Sequence, residues 1–240
     1  MSSVHDIDLT QKAKESAALA ALEFIEDGMI VGLGSGSTAE LFIAALGKRM
    51  AEDGFKVVGV ATSEASARAA EAAGVPLREV EHVARIDVDV DGADEVDPLF
   101  NLIKGGGGCL LREKIIAHAS DQMIVVVDDK KMVQTLGAFP LPVEVDPFGF
   151  TLTAKSVFDA LRASRAQTAD VQLRRTGDGA PYITDGGHYI LDCKTGALPD
   201  PVETAARLAA IPGVVEHGLF LDLAGVVIVG GPEGAGVLEK

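Results

Sequence analysis

The sequence predicts an α/β protein, a mostly parallel sheet flanked by helices, followed by a smaller α+β unit. Three observations carry that reading. Helical and strand signals alternate through the first half of the chain. Residues 123–127 (MIVVV) form an uninterrupted apolar run, the pattern of a parallel strand buried on both faces. After residue 139 the texture changes: Pro140, Pro142 and Pro147 break the chain, and short alternating segments with glycine turns replace the earlier alternation.

The elements follow in order. Residues 9–25 carry an apolar stripe at helical spacing, and 29–33 are a short apolar strand ending in glycines. A helix over 37–50, a strand over 55–61 and a helix over 63–73 come next, then short strands near 77–80 and 86–90. A helix over about 110–119 leads into the 123–127 strand. Beyond the prolines the pattern predicts a helix over 153–164, antiparallel strands over 170–175, 181–184 and 188–193, and a helix over 201–210. The apolar run 225–229 returns to the first sheet as its final strand.

Composition bounds the function. With 240 residues, 48% of them apolar, the chain can bury a sizeable core without staples. Cys109 and Cys193 stand far apart with no CxxC pairing, which fits a reducing compartment better than a disulfide framework. Residues 1–11 are polar and lack a basic leader, and no apolar run reaches membrane length, so the expected location is the cytoplasm. A net charge of -15 disfavours nucleic acid and membrane surfaces as partners. Any phosphate site must then be built from local groups, backbone N–H donors and a few lysines.

Residues 29–39 read MIVGLGSGSTA, a strand, a glycine-rich turn and a helix start. Ser35, Ser37 and Thr38 add hydroxyls at the positive end of the helix dipole, a constellation that suits a phosphate monoester. A plain reading competes: Ser37 as a helix cap, with Glu40 completing a capping box. The stretch 34–39 also satisfies G-x-G-x-x-A, but the second strand ends Ala61-Thr62-Ser63, without the acidic ribose clamp of a nicotinamide site unless Glu64 serves. No Gly-Lys-Ser/Thr closes a Walker loop.

Residues 86–97 (IDVDVDGADEVD) hold six acids in twelve positions. On a strand, Asp87, Asp89 and Asp91 share one face. A divalent metal is the rival explanation, but the run lacks the EF-hand order and the five histidines are scattered. Asp87, Asp89 and Asp97 read as a solvated edge, whereas Asp91 and Asp94 flank the Gly92 turn at the carboxyl end of a strand, where open α/β sheets bind ligands. In NLIKGGGGCLLREKIIA (101–117) four successive glycines cost backbone entropy, and close approach to a ligand explains them better than scaffolding does. Lys104 enters that run after two apolar residues, as a fixed cation at its base. Glu113 projects along a helix between Ile116 and Ala117 and near Leu110, so its apolar flank raises its pKa toward the range of a general base. A local salt bridge to Arg112 or Lys114 is the alternative.

Taken together, GSGSTA (34–39), DGADEVD (91–97), KGGGG (104–108) and LREK (111–114) resemble, in order and spacing, the type A ribose-5-phosphate isomerases, and the likeness continues through 125–131 and FPLPVEV (139–145). Ser35 stands where many members have threonine. The resemblance implies a Rossmann-like domain (1–140 plus 218–240) with a smaller α+β, ferredoxin-like domain (141–217) inserted before the last strand, assembled as a homodimer or homotetramer. It implies an aldose-ketose isomerase acting on a small sugar phosphate with no cofactor and no metal. Glu113 matches the proton acceptor, and Asp91, Asp94 and Lys104 the other catalytic polar groups. Ser35, Gly36, Ser37 and Thr38, with Gly92, Ala93, Gly105, Gly106 and Gly107, match the substrate loops, and Lys131 and Lys14 the phosphate-side lysines. Two rivals are another enzyme on a related scaffold, such as a sugar-phosphate deaminase or coenzyme A transferase, and a sugar-phosphate sensing module.

Overall fold

The computed structural model describes residues 4–240, with side chains from residue 9 onward. The reading of 1–11 as a polar N-terminus falls in part on residues that lie outside the described ones. In chain order the elements are α1 (Val4–Ala21), β1 (Ile30–Leu33), α2 (Ser37–Asp53), β2 (Val58–Ala61), α3 (Glu64–Ala73), β3 (Val88–Asp91), β4 (Glu95–Val96), β5 (Leu102–Ile103), α4 (Leu110–Ala119) and β6 (Met123–Asp128). They continue with β7 (Leu141–Val145), α5 (Phe150–Ala163), β8 (Asp170–Leu173), β9 (Tyr189–Lys194), α6 (Pro201–Ala209), β10 (Val214–His217), β11 (Leu219–Phe220), β12 (Ala224–Gly231) and β13 (Gly234–Glu239).

The chain forms two compact units. One comprises residues 1–93, 112–131 and 222–240, the other 94–111 and 132–221. The division expected from sequence left 94–111, 132–140 and 218–221 with the first part.

The first unit is a six-stranded sheet in the order β13-β12-β6-β3-β1-β2, parallel except for β13. Its central strands read as apolar runs because helices cover them: Val31, Leu33, Val88, Val90, Ile124 and Val126 are buried with Phe42, Ile43 and Leu46 of α2. In α2 the buried residues recur at i, i+3, i+4 and i+7 (Ala39, Phe42, Ile43, Leu46), so the helix shows one stripe to the sheet. Strand β12 is not the last: a tight hairpin pairs Gly231 with Gly234 and lays β13 along the edge. Its residues are largely exposed, which explains why apolar patterning gave no sign of it.

The second unit holds a four-stranded antiparallel sheet, order β10-β7-β9-β8, with α5 and α6. The succession β-α-β-β-α-β is that of the ferredoxin-like fold. Sequence reading took the 140–147 prolines for breakers, yet β7 is an inner strand. Pro142 keeps its place because its carbonyl, the one backbone hydrogen-bonding group it has, accepts from Gly218 N–H at 2.8 Å. Two expected strands are not formed: 77–80 gives a single bridge, Leu77 to Gly59, and then a 3-10 turn, while 181–184 gives only a bridge from Pro181 to Arg175. A third small sheet, β11-β5-β4, joins segments far apart in sequence.

Candidate active site

In the first unit the sequence-selected residues gather where strand order turns. Strand β1 runs between β2 and β3, so the chain leaves it to one side and later returns on the other. The adjacent carboxyl ends of two such strands form the crevice that α/β sheets use for ligands. Ser35 follows β1, Asp91 ends β3, and the 129–131 turn with Lys131 follows β6. Ser35 N–H donates to Asp91 Oδ1 at 3.0 Å, and Gly92 N–H donates to the same oxygen at 2.7 Å. Residue 34 must be glycine: a Cβ there would stand 2.5 Å from Asp91 Cα.

Helix α2 begins at Ser37 with Gly36 (φ 92°) as its N-cap residue and no side-chain cap, so the capping box of Ser37 with Glu40 is not formed. Instead Ser37 Oγ accepts from Lys14 Nζ at 2.9 Å, which places Lys14 at the start of α2 beside Thr38. Ser35 Oγ meets a knot of hydroxyls, 2.8 Å from Thr62 Oγ1, 2.8 Å from Ser63 Oγ and 3.2 Å from Ser66 Oγ. Those three side chains are buried, and sequence reasoning missed them. The signal was present in ATSEAS: hydroxyl residues at 63 and 66 share one face of a helix start.

The acidic run is not a solvated edge. Strand β3 lies between β1 and β6, with Asp89 fully buried and Asp97 8% exposed. Asp97 closes the β4–β5 turn, taking N–H groups of Leu99 and Asn101 on Oδ1. Asp87 is half-buried and accepts from Ile30 N–H at 2.8 Å, with Arg85 beside it. The sequence placed Asp89 outside because alternation reads one face as wet, whereas an inner parallel strand has none.

Glu113 lies in the first turn of α4, 4% exposed. It belongs to the buried stripe Leu110, Glu113, Ile116, Ala117, while Arg112 and Ile115 face out.

In the second unit, Asp94 and the glycine run meet. Asp94 Oδ2 accepts from Gly106 N–H at 2.8 Å, and Asp94 N–H bonds Ile103 across the β4–β5 pair. Lys104 follows β5 and is 3% exposed. Its N–H donates to Gly218 O at 2.9 Å, and its Nζ lies 5.4 Å from the centre of the Phe220 ring. The ring offers an ammonium about 2 kcal/mol when dehydrated, less than the several kcal/mol that dehydration costs. The ring alone does not account for burying this cation. Phe220 reaches it through the β5–β11 pairing, Leu102 with Phe220, a contact no local pattern encodes. Gly105 is buried, and Gly106 and Gly107 are exposed. Among the described residues no cluster of three or more His, Cys, Asp or Glu is placed to hold a metal ion.

Residues 58–234 match the family model of ribose 5-phosphate isomerase A (phosphoriboisomerase A). The ribose-5-phosphate isomerase A of Maricaulis maris is 60% identical over 95% of this chain and 98% of its own length. The chain belongs to the ribose 5-phosphate isomerase A family. A second member, from Nitrobacter hamburgensis, is 51% identical over 95% of this chain and 97% of its own. Among solved members, a D-ribose-5-phosphate isomerase in complex with phospho-erythronic acid is 41% identical with TM-score 0.89, covering 96% of this chain and 99% of its own. The ribose 5-phosphate isomerase of Plasmodium falciparum is 31% identical with the same TM-score, over 96% and 99%. The Rossmann-like sheet and the ferredoxin-like unit are thus the architecture of the phosphoriboisomerase A family.

Proposed function

We propose that Glu113, Lys104, Asp91 and Asp94 carry out the reaction of this family, the interconversion of ribose 5-phosphate and ribulose 5-phosphate. Moving a carbonyl between C1 and C2 requires removing a proton from one carbon and returning it to its neighbour. A single base on one face of a cis-enediolate performs both transfers, and Glu113 is that base. The observation that carries the assignment is its burial on the apolar stripe of α4, which leaves little water to compete for its carboxylate.

Lys104, a buried ammonium, stabilises the negative charge that develops on the enediolate oxygen. Asp91 and Asp94 orient the sugar hydroxyls and assist ring opening. They are three residues apart, a span the chain's reach limits to about 11 Å. The phosphate lies at the 35–38 loop, where α2 begins without a side-chain cap and Lys14 stands 2.9 Å from Ser37, with Lys131 on the same rim of the sheet. Gly92, Ala93 and the 105–107 backbone line the sugar. Remote phosphate contacts then orient the reacting carbons. Phospho-erythronic acid, bound by a relative, fits this scheme: its planar carboxylate beside a hydroxylated carbon has the shape of an enediolate.

We place the enzyme in the cytoplasm as a homodimer or homotetramer. No described helix is long and apolar enough to cross a membrane, and neither Cys109 nor Cys193 forms a disulfide. The exposed Phe148, Leu152 and Val202 of the second unit supply apolar surface for a partner subunit.

The test is a coupled assay of ribulose 5-phosphate formation. Glu113→Gln should lower kcat by about 10²–10⁴-fold with KM little changed. Near-normal turnover would remove Glu113 from the mechanism, and binding of ribose 5-phosphate by the wild-type chain without isomerisation would favour the sensing module.

A further inference from the structure

The glycine run is held from the four-stranded sheet of its own unit. Arg174 follows β8, and its backbone N–H bonds Ile190 O on β9 at 2.8 Å. Its guanidinium is a two-sided fork. Nε and Nη2 take the two oxygens of Asp192 at 2.9 and 2.5 Å, while Nη1 donates to Gly105 O at 2.9 Å and to Gly106 O at 3.1 Å. Tyr182 adds a third grip, its hydroxyl donating to Gly107 O at 3.2 Å. A Cβ on Gly108 would stand 2.3 Å from that hydroxyl, so residue 108 must be glycine for the ring to sit there. Three successive carbonyls are thereby captured in the most permissive stretch of backbone in the chain.

In a trans peptide the C=O and the following N–H point in opposite directions. The peptide whose carbonyl faces Arg174 therefore turns the N–H of Gly106 the other way, and that N–H is the one Asp94 accepts at 2.8 Å. We infer that Arg174 is a positioning residue: anchored by Asp192 and assisted by Tyr182, it fixes the 105–107 backbone and through it the Asp94 carboxylate and the exit of Lys104. This rests on the proposed roles of Asp94 and Lys104. The fork explains why arginine serves, since a lysine ammonium cannot satisfy a carboxylate and two carbonyls in one plane. The Asp192 pair matters for the same reason: only 13% of the Arg174 side chain is exposed, and an unanchored guanidinium there would turn to water.

The experiment compares wild type, Arg174→Ala, Arg174→Lys and Tyr182→Phe, by steady-state kinetics, by inhibition with inorganic phosphate and by hydrogen exchange over 104–109. Arg174→Ala should lower kcat about 10²-fold, the usual result of a misplaced catalytic group. Inhibition by phosphate should stay within about two-fold of wild type, because the remote binding contacts are untouched. Arg174→Lys should fall between, Tyr182→Phe should lose less, and exchange at 106–108 should quicken in Arg174→Ala. Unchanged exchange would overturn the clamp whatever the activity, as would wild-type kcat in Arg174→Ala, or a loss appearing only in phosphate inhibition. Quickened exchange in a chain that never isomerises ribose 5-phosphate would support the clamp and overturn the proposed function instead.

Discussion

The backbone N–H of Ser35 and the Oδ1 of Asp91, 3.0 Å apart, tie the 35–38 loop to the end of a strand whose own residues lie far away in sequence. Gly34 makes this possible, since its backbone passes against Asp91 where any side chain would collide. Gly34→Ala should therefore destabilise the fold by about 1–3 kcal/mol and raise KM for the sugar phosphate, as denaturant melts and initial rates would measure. A variant with unchanged stability would mean that the strand end yields without cost.

Ser66 lies outside the 35–38 loop, yet its hydroxyl lies 3.2 Å from Ser35 Oγ and 2.5 Å from Ser63 Oγ. Ser66→Ala leaves buried hydroxyls short of a partner, at a cost of about 1 kcal/mol. The expected signature is a several-fold rise in KM with kcat nearly intact, because the loop is proposed to hold phosphate rather than the reacting carbons. A kcat loss without a KM change would place the hydroxyl knot nearer the chemistry.

The carboxylates 87–97 invite a metal, and the two readings separate cleanly. Asp97 and Asp87 are occupied with backbone N–H groups, and Asp91 takes two on one oxygen. Turnover in excess EDTA should equal that in buffer. Abolition by chelator with recovery on adding magnesium would make the cluster a cation site.

Burial, and then the neighbouring Cys109, push the Tyr182 phenol above its ordinary value of 10.0. The folded protein therefore holds this proton where an unfolded chain would release it. The stability so contributed is fully present below pH 10.0 and is lost as pH rises through the higher folded value. Subtracting the alkaline absorbance titration of Tyr182→Phe from that of wild type should reveal a phenol ionising later than free tyrosine. Ionisation at the ordinary value would mean that Gly107 O loses its donor in moderate alkali.

Residues whose role depends on near neighbours were legible. Glu113 stood out because the helical period places it among Leu110, Ile116 and Ala117, and α4 buries that stripe. The sequence also marked the glycine-serine turn, the Asp91–Gly92 turn and Lys104, since each is a local departure from ordinary helix or strand chemistry. It misjudged Asp89, because strand alternation does not say whether a strand will be inner or outer in its sheet, and Asp97, which is buried by the turn it closes. It also missed β7 and β13, where a tolerated proline and an exposed edge hide the strand pattern.

Sequence by itself determined the alternating elements, the four motifs in order and the polar groups available for chemistry, because these depend on spacings of a few residues. Only the tertiary structure decided what holds those groups. Phe220 reaches Lys104, Arg174 reaches Gly105 and Thr62 reaches Ser35 through strand pairing and packing across distant stretches of chain. Hydrogen-bonded partners so far apart leave no period in the sequence, since their meeting is chosen by the free energy of the whole fold rather than by any one segment.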